Sequence, residues 1–199
     1  QIDRLMVDVL VGDQGKAVYQ VWVEVRNAGL ANLELQMPKG FSFLMAERNG
    51  RSNLPGGNGT HLIIPLNAAQ NRQSVVIQGS LELPPINKEL NLPLPSFTAP
   101  VAAVELRVRC PQTWRAQLAK GKKANRAGDW TEVAEQGYST DISRLILGEQ
   151  RYLNGSSGIQ TFISPSSYKT LVTSWTALTA RPGSIKVLIN RKKQKKEWL

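Results

Sequence analysis

Apolar and polar residues alternate along much of this chain. In KAVYQVWVEVR, residues 16–26, Ala17, Tyr19, Val21, Val23 and Val25 fall on one side of an extended backbone. Gln20, Glu24 and Arg26 fall on the other, with Trp22 among them. Side chains of a strand point to opposite faces in turn, so this pattern predicts a half-buried β-strand. ANLELQMP repeats it, with Leu33, Leu35 and Met37 against Asn32, Glu34 and Gln36. VELRVRCP does the same, with Val104, Leu106, Val108 and Cys110 against Glu105, Arg107 and Arg109. SVVIQGSLEL and SIKVLIN are weaker versions, HLIIPL reads as a short buried strand, and RLMVDVLV as another.

The connections suit strands. Gly12-Asp13-Gln14-Gly15 separates two strong strands as a hairpin loop. Asn27-Ala28-Gly29, Lys39-Gly40, Asn49-Gly50 and Pro182-Gly183 are turn signals at strand-length spacing. Asn53 to Gly59 reads as a flexible loop, and one short helix is expected around Thr113 to Ala119. Many short strands without alternating helices predict an all-β fold, an antiparallel β-sandwich of jelly-roll-like or Ig-like type with little helix. Residues 84–111 hold six of the eleven prolines. Proline removes a ladder donor, so this stretch is an edge, a crossover or a linker. It either joins two small β-domains or crosses between the sheets of one sandwich. The second is favoured, because residues 101–199 contain few strong strands. The expected organisation is one sandwich over 1–190 with a proline-rich crossover at 84–111, followed by a basic tail at 191–199.

Composition agrees with a folded chain: 41% of residues are hydrophobic and 20% charged. No apolar run approaches the roughly 20 residues that span a bilayer. The chain starts at Gln1 rather than Met, which points to a processed form or a piece of a longer protein. The net charge of +10 is local. Arg115, Lys120, Lys122, Lys123 and Arg126 form one basic segment without an acid. Arg191, Lys192, Lys193, Lys195 and Lys196 form a second, offset by Glu197. The two together account for nine of the ten charges, so the body of the chain is nearly neutral.

Groups for catalysis are sparse. His61 is the single histidine and Cys110 the single cysteine. No disulfide can form within the chain. Cys110 falls on the apolar face of its strand, which predicts a buried thiol rather than a nucleophile. His61 opens a strand, and no Gly-x-Ser-x-Gly elbow supports a triad around it. Two such ligands are too few for a transition-metal site. Asp3, Asp8, Asp13 and Glu24 lie near the first hairpin but lack the spacing of a calcium loop. PGGNGT has no strand-then-helix context for phosphate. A carboxylate pair for glycoside hydrolysis is open among fifteen acids, but none is singled out. The expectation is no enzyme and no cofactor.

Binding is more open. Trp114, Trp130 and Tyr152 lie in the irregular region after Pro111, and exposed rings there would serve carbohydrate recognition. The competing expectation is that they cap the core. Asn58 and Asn154 begin Asn-x-Ser/Thr triplets that are assigned no role. The two basic segments would suit an anionic surface if they converged in space. With no RNA- or DNA-binding motif, nucleic acid is not the expected partner.

FSFLMAERNGRSNLPGGNGTHLIIPLN, followed by VVIQGSLELPP, LPLPSF and VELRVRCP, resembles β-sandwich domains in the extracytoplasmic regions of large bacterial envelope proteins. The matching residues are Asn49-Gly50, Ile64-Pro65-Leu66, Leu92-Pro93-Leu94-Pro95 and Val108 to Pro111. The likeness spans residues 17–114. It implies a periplasmic location, a binding or assembly role with a protein or glycan partner, and no catalytic residues. A membrane tether would lie outside the segment. The lysines before Trp198 pull the other way, because basic flanks of a span favour the cytoplasm.

Overall fold

The computed structural model describes residues 1–12, 15–85, 89–111, 114–118, 131–133, 168–176 and 184–191. Every regular element among them is a strand. They are β1 (Ile2–Val11), β2 (Lys16–Arg26), β3 (Asn32–Gln36), β4 (Ser42–Arg48), β5 (Arg51–Ser52), β6 (Gly56–Asn58), β7 (His61–Pro65), β8 (Arg72–Glu82), β9 (Glu89–Pro93), β10 (Ser96–Phe97), β11 (Val101–Pro111), β12 (Trp114–Leu118), β13 (Thr131–Val133), β14 (Tyr168–Thr176) and β15 (Ser184–Arg191).

One layer is an eight-stranded sheet in the order β13-β14-β11-β1-β2-β8-β4-β5. A four-stranded sheet, β10-β3-β7-β6, and a three-stranded sheet, β12-β15-β9, form the other layer. The core lies between them. From the large sheet come Leu5, Val7, Val9, Tyr19, Val21, Ile77, Leu106 and Val108, packed in one cluster with Leu33, Leu35 and Ile64 of the four-stranded sheet and Leu90 and Leu92 of β9. The alternation seen in the sequence is therefore the alternation of a β-sandwich wall.

The pairing is antiparallel apart from β1 with β11, which run parallel, Leu5 beside Val104 and Val9 beside Val108. That corrects a purely antiparallel expectation. A parallel neighbour needs a long connection, and here it runs through β2 to β10. The proline-rich stretch leaves the large sheet at β8, supplies β9 to one small sheet and β10 to the other, and returns as β11.

Two further expectations change. The helix expected around Thr113 to Ala119 is replaced over its described part by a strand: Trp114–Leu118 forms β12, paired with β15 from Trp114↔Arg191 to Leu118↔Val187. A five-residue stretch has too few internal hydrogen bonds to hold a helix against a ready sheet edge. Asn53 to Gly59 is not one loop either. Arg51–Ser52 and Gly56–Asn58 are short strands in different sheets, so the chain steps between layers at Asn53-Leu54-Pro55.

The Asn49-Gly50 signal closes a two-residue hairpin between β4 and β5, with Arg48 opposite Arg51. Both loop residues have positive φ, 48° and 74°, as a type I′ turn requires. Asn49 is held there because its side chain accepts from the Ser74 N–H at 2.8 Å and donates to Gln70 at 3.0 Å. At the centre of β8, Gly79 stands opposite Tyr19. A Cβ there would come within 2.2 Å of the Phe41 ring. The missing side chain lets Phe41 lie over the sheet and meet Tyr19 edge-on, centroids 6.3 Å apart.

Candidate functional site

The face of the large sheet turned away from the core carries the polar half of each alternation. Register assembles it into rows. Glu105 pairs with Met6, Met6 with Trp22, Trp22 with Val76, and Val76 with Glu47. The next row toward the first hairpin runs Arg107, Asp8, Gln20, Gln78 and Met45. The row after that runs Arg109, Leu10, Val18 and Ser80.

These rows divide the face in two. Near the first hairpin it is buried: Asp8, Leu10, Val18, Gln20, Gln78, Ser80 and Arg109 are each below a tenth exposed. A charge in such a place needs a partner, and the pair is well made. Arg109 Nε donates to both Asp8 carboxylate oxygens, at 2.9 and 3.2 Å, and Nη2 donates to Oδ2 at 2.8 Å. The alternation places Arg109 on the polar side of its strand, but nothing in the sequence shows that this face is buried or that Asp8 meets it there.

The other half is open. Met6, Trp22 and Val76 form a partly exposed apolar strip across three adjacent strands. Charges border it. Arg4 Nη2 donates to Glu105 Oε2 at 2.7 Å, and Arg107 Nε donates to Glu105 Oε1 at 2.7 Å. Burial pushes the Glu105 carboxyl up, but the hydrogen bonds from Arg4 and Arg107 outweigh it and hold the group below its usual range. The same contact raises the Arg4 guanidinium above its ordinary value. Arg26 and Asp3 close one end with a 3.0 Å ion pair.

A shallow pocket of about 50 Å³ sits in this half, lined by Arg4, Met6, Trp22 and Glu24. Its polar groups are uncommitted in two places. The Trp22 indole N–H is shielded from solvent and has no acceptor among the described residues. The Glu24 carboxylate acts on Arg4 through charge alone. The recess is thus walled by sulfur and indole and bordered by the charges of Arg4 and Glu24. The signal was visible as Trp22 in the polar register of β2, but its neighbours come from β1 and are set by pairing.

The residues singled out by sequence distribute differently. Trp114 is 2% exposed and belongs to the core cluster, so its ring has no face to offer a glycan. Burial of a large aromatic at a sheet end wins over display. Trp130 and Tyr152 lie outside the described residues. So do Lys120, Lys122, Lys123, Arg126, Lys192, Lys193, Lys195 and Lys196. Arg115 and Arg191 are strand residues on adjacent strands, one register step apart. The two basic segments nevertheless depart from opposite ends of that pairing, one after Leu118 beside Val187, the other after Arg191 beside Trp114. Four strand residues separate those ends, roughly 13 Å.

Cys110 is buried on the core face. His61 opens β7 at the surface, its Nε2 3.8 Å from Glu34 Oε2, beyond hydrogen-bond reach. Asp3 and Asp8 are each paired with an arginine, and Asp13 is outside the described residues. No group of three or more histidine, cysteine or acidic side chains converges on a metal position among the described residues.

Comparison with family models and with curated proteins gives no match. Among solved structures the chain is similar in fold to an M1 zinc metallopeptidase from Deinococcus radiodurans, at 12% identity and a TM-score of 0.55. A mutant of that enzyme bound to a Tyr-Ser-Ala substrate aligns at 12% identity and a TM-score of 0.53. Each alignment covers 94% of this chain and 42% of the metallopeptidase. The chain thus spans less than half the length of the structures it resembles. At this identity the likeness is one of fold.

Proposed function

We propose that this chain is a non-catalytic β-sandwich module of a larger bacterial cell-envelope protein, with a binding or assembly role. One observation carries the reading: nearly the whole chain takes a fold that makes up 42% of a larger, multi-domain protein. The short envelope-type motifs at Asn49-Gly50, Ile64-Pro65-Leu66 and Leu92-Pro93-Leu94-Pro95 support the compartment. The surface histidine, with only Glu34 near its ring, and the buried thiol described above support a role in which the sandwich presents surfaces and performs no bond-breaking step.

Two measurements test this. The purified chain, incubated with zinc and aminoacyl p-nitroanilides, is expected to release no nitroaniline. Turnover abolished by a chelator would overturn the non-catalytic reading. A full-length gene product tagged just after Leu199 with alkaline phosphatase is expected to be active in intact cells. Phosphatase activity confined to the cytosol would overturn the envelope assignment.

A further inference from the structure

We propose that Asn58, at the tip of the hairpin between β6 and β7, is a site of spontaneous amide-to-acid conversion in the folded protein. The products are aspartate and isoaspartate. The sequence holds three Asn-Gly pairs, at Asn49, Asn58 and Asn154, and the last lies outside the described residues. Glycine suits this chemistry because no Cβ crowds its own nitrogen. The Gly59 nitrogen, having given its proton to solvent base, attacks the Asn58 carboxamide carbon. A C–N bond forms, the bond to Nδ2 breaks, and ammonia leaves after taking a proton back. The five-membered imide then takes up one water and opens at either carbonyl. The balance is one water in and one ammonia out, with nothing oxidised or reduced.

Asn49 and Asn58 are both exposed, so access of water does not separate them. Their hydrogen bonds do. The Asn49 carboxamide oxygen accepts from the Ser74 N–H at 2.8 Å, its Nδ2 donates to Gln70 at 3.0 Å, and its main-chain N–H donates to Ser74 O at 2.8 Å. Turning that carboxamide onto the Gly50 nitrogen means giving up bonds already made. The Asn58 carboxamide makes none among the described residues. Its backbone yields as well. β6 is the outer strand of its sheet, and all three of its residues, two of them glycines, are exposed. Such a strand opens locally at small cost. A Cβ on Gly59 would meet nothing within 4 Å, so open space surrounds the attacking residue. The turn is anchored on its other side: Thr60 O accepts from the Met37 N–H at 2.7 Å, and the Thr60 hydroxyl accepts from the Gln36 amide. Movement is therefore left to the Asn58 side. Conversion adds a negative charge at the tip. The isoaspartate form also adds a carbon to the backbone, which disturbs the pairing of Asn58 with His61.

The test is incubation of the intact folded chain for days at mildly alkaline pH, followed by cleavage after glutamate. Glu47 and Glu82 bound a peptide of residues 48–82 with no acid between them, so both sites are read in one fragment by mass spectrometry. Conversion at Asn58 is expected to run at least tenfold faster than at Asn49 in the folded chain. In urea the two sites should convert at similar rates. Asn58→Gln, an exposed change with little bearing on folding, should abolish conversion at that position. Equal or faster conversion at Asn49 in the folded chain overturns the proposal. So does an Asn58 that stays intact in the folded chain over a period in which the unfolded chain converts, or a preference for Asn58 that persists unchanged in urea, which would owe nothing to the fold.

Discussion

On β2, Val21 and Trp22 are neighbours in sequence and belong to different surfaces. Val21 is fully buried and faces Ile77 in the core. Trp22 is partly exposed and faces Val76 on the outside, among charged residues. The inner face is largely apolar: side chains from every layer close on one another, and the polar groups among them in the described residues are few, such as the Tyr19 hydroxyl and, at the start of β8, Gln73. The outer face is graded, from a buried ion pair near the first hairpin to an open apolar strip beyond it. The same alternation therefore serves two purposes. Inward residues supply cohesion through area removed from water. Outward ones hold charge and leave one patch uncovered. The lesson is that a polar face of a sheet is not by default a solvated one, and that its open part is where recognition is best sought.

The largest effect is expected at the buried end of the outer face. Asp8→Ala leaves the Arg109 guanidinium buried without its carboxylate, a loss of about 3 kcal/mol or more in equilibrium urea unfolding. A change below about 1 kcal/mol would mean that this half is solvated after all, and the contrast within the face would collapse. Next come two adjacent positions on β8. Ile77 is fully buried inward, Val76 half-buried outward. Ile77→Ala should cost about 2–5 kcal/mol and Val76→Ala less than about 1 kcal/mol. Equal costs would erase the distinction between the faces.

The smallest effect concerns the Tyr19 hydroxyl, a polar atom within the core. Burial raises the Tyr19 phenol above its ordinary pKa, so the folded state favours the neutral form. The stability this provides is complete below the ordinary tyrosine value of about 10 and is lost as pH rises above it. Tyr19→Phe removes a hydroxyl with no partner among the described residues. Stability at neutral pH should then change by less than about 1 kcal/mol. The fall in melting temperature between pH 9 and about 11 should be smaller than in the parent. An equal alkaline fall in both would show that Tyr19 does not drive it.

Much of the sandwich was legible from the alternation alone. Ala17 to Val25 and Val104 to Cys110 were assigned to the core face and lie there, because the period of two is a local property of strands. Asn49-Gly50 was legible for the same reason: its turn chemistry is contained in two residues. What was not legible is what register creates. Asp8 meets Arg109 across 101 positions, and the parallel partnership of β1 with β11 has no local signature. Trp22 stood out in the polar set of its strand, yet its pocket needs Met6 and Arg4 from another strand, and the apolar strip needs Val76 from a third. Trp114 shows the converse case. Its surroundings in the sequence left display and core burial both open, and the five residues it begins pair into a sheet with the ring buried.

The central claim is that cohesion belongs to the inner face and that the strip around Trp22 adds little to it. Thermal unfolding of the parent chain, of Val21→Ala and of Trp22→Ala tests both halves at once, because the two positions are neighbours on one strand and only Val21 is fully buried. The account predicts that Val21→Ala melts well below the parent and that Trp22→Ala melts within a few degrees of it. A Trp22→Ala chain that melts as far below the parent as Val21→Ala does, or a Val21→Ala chain that melts with the parent, would contradict it.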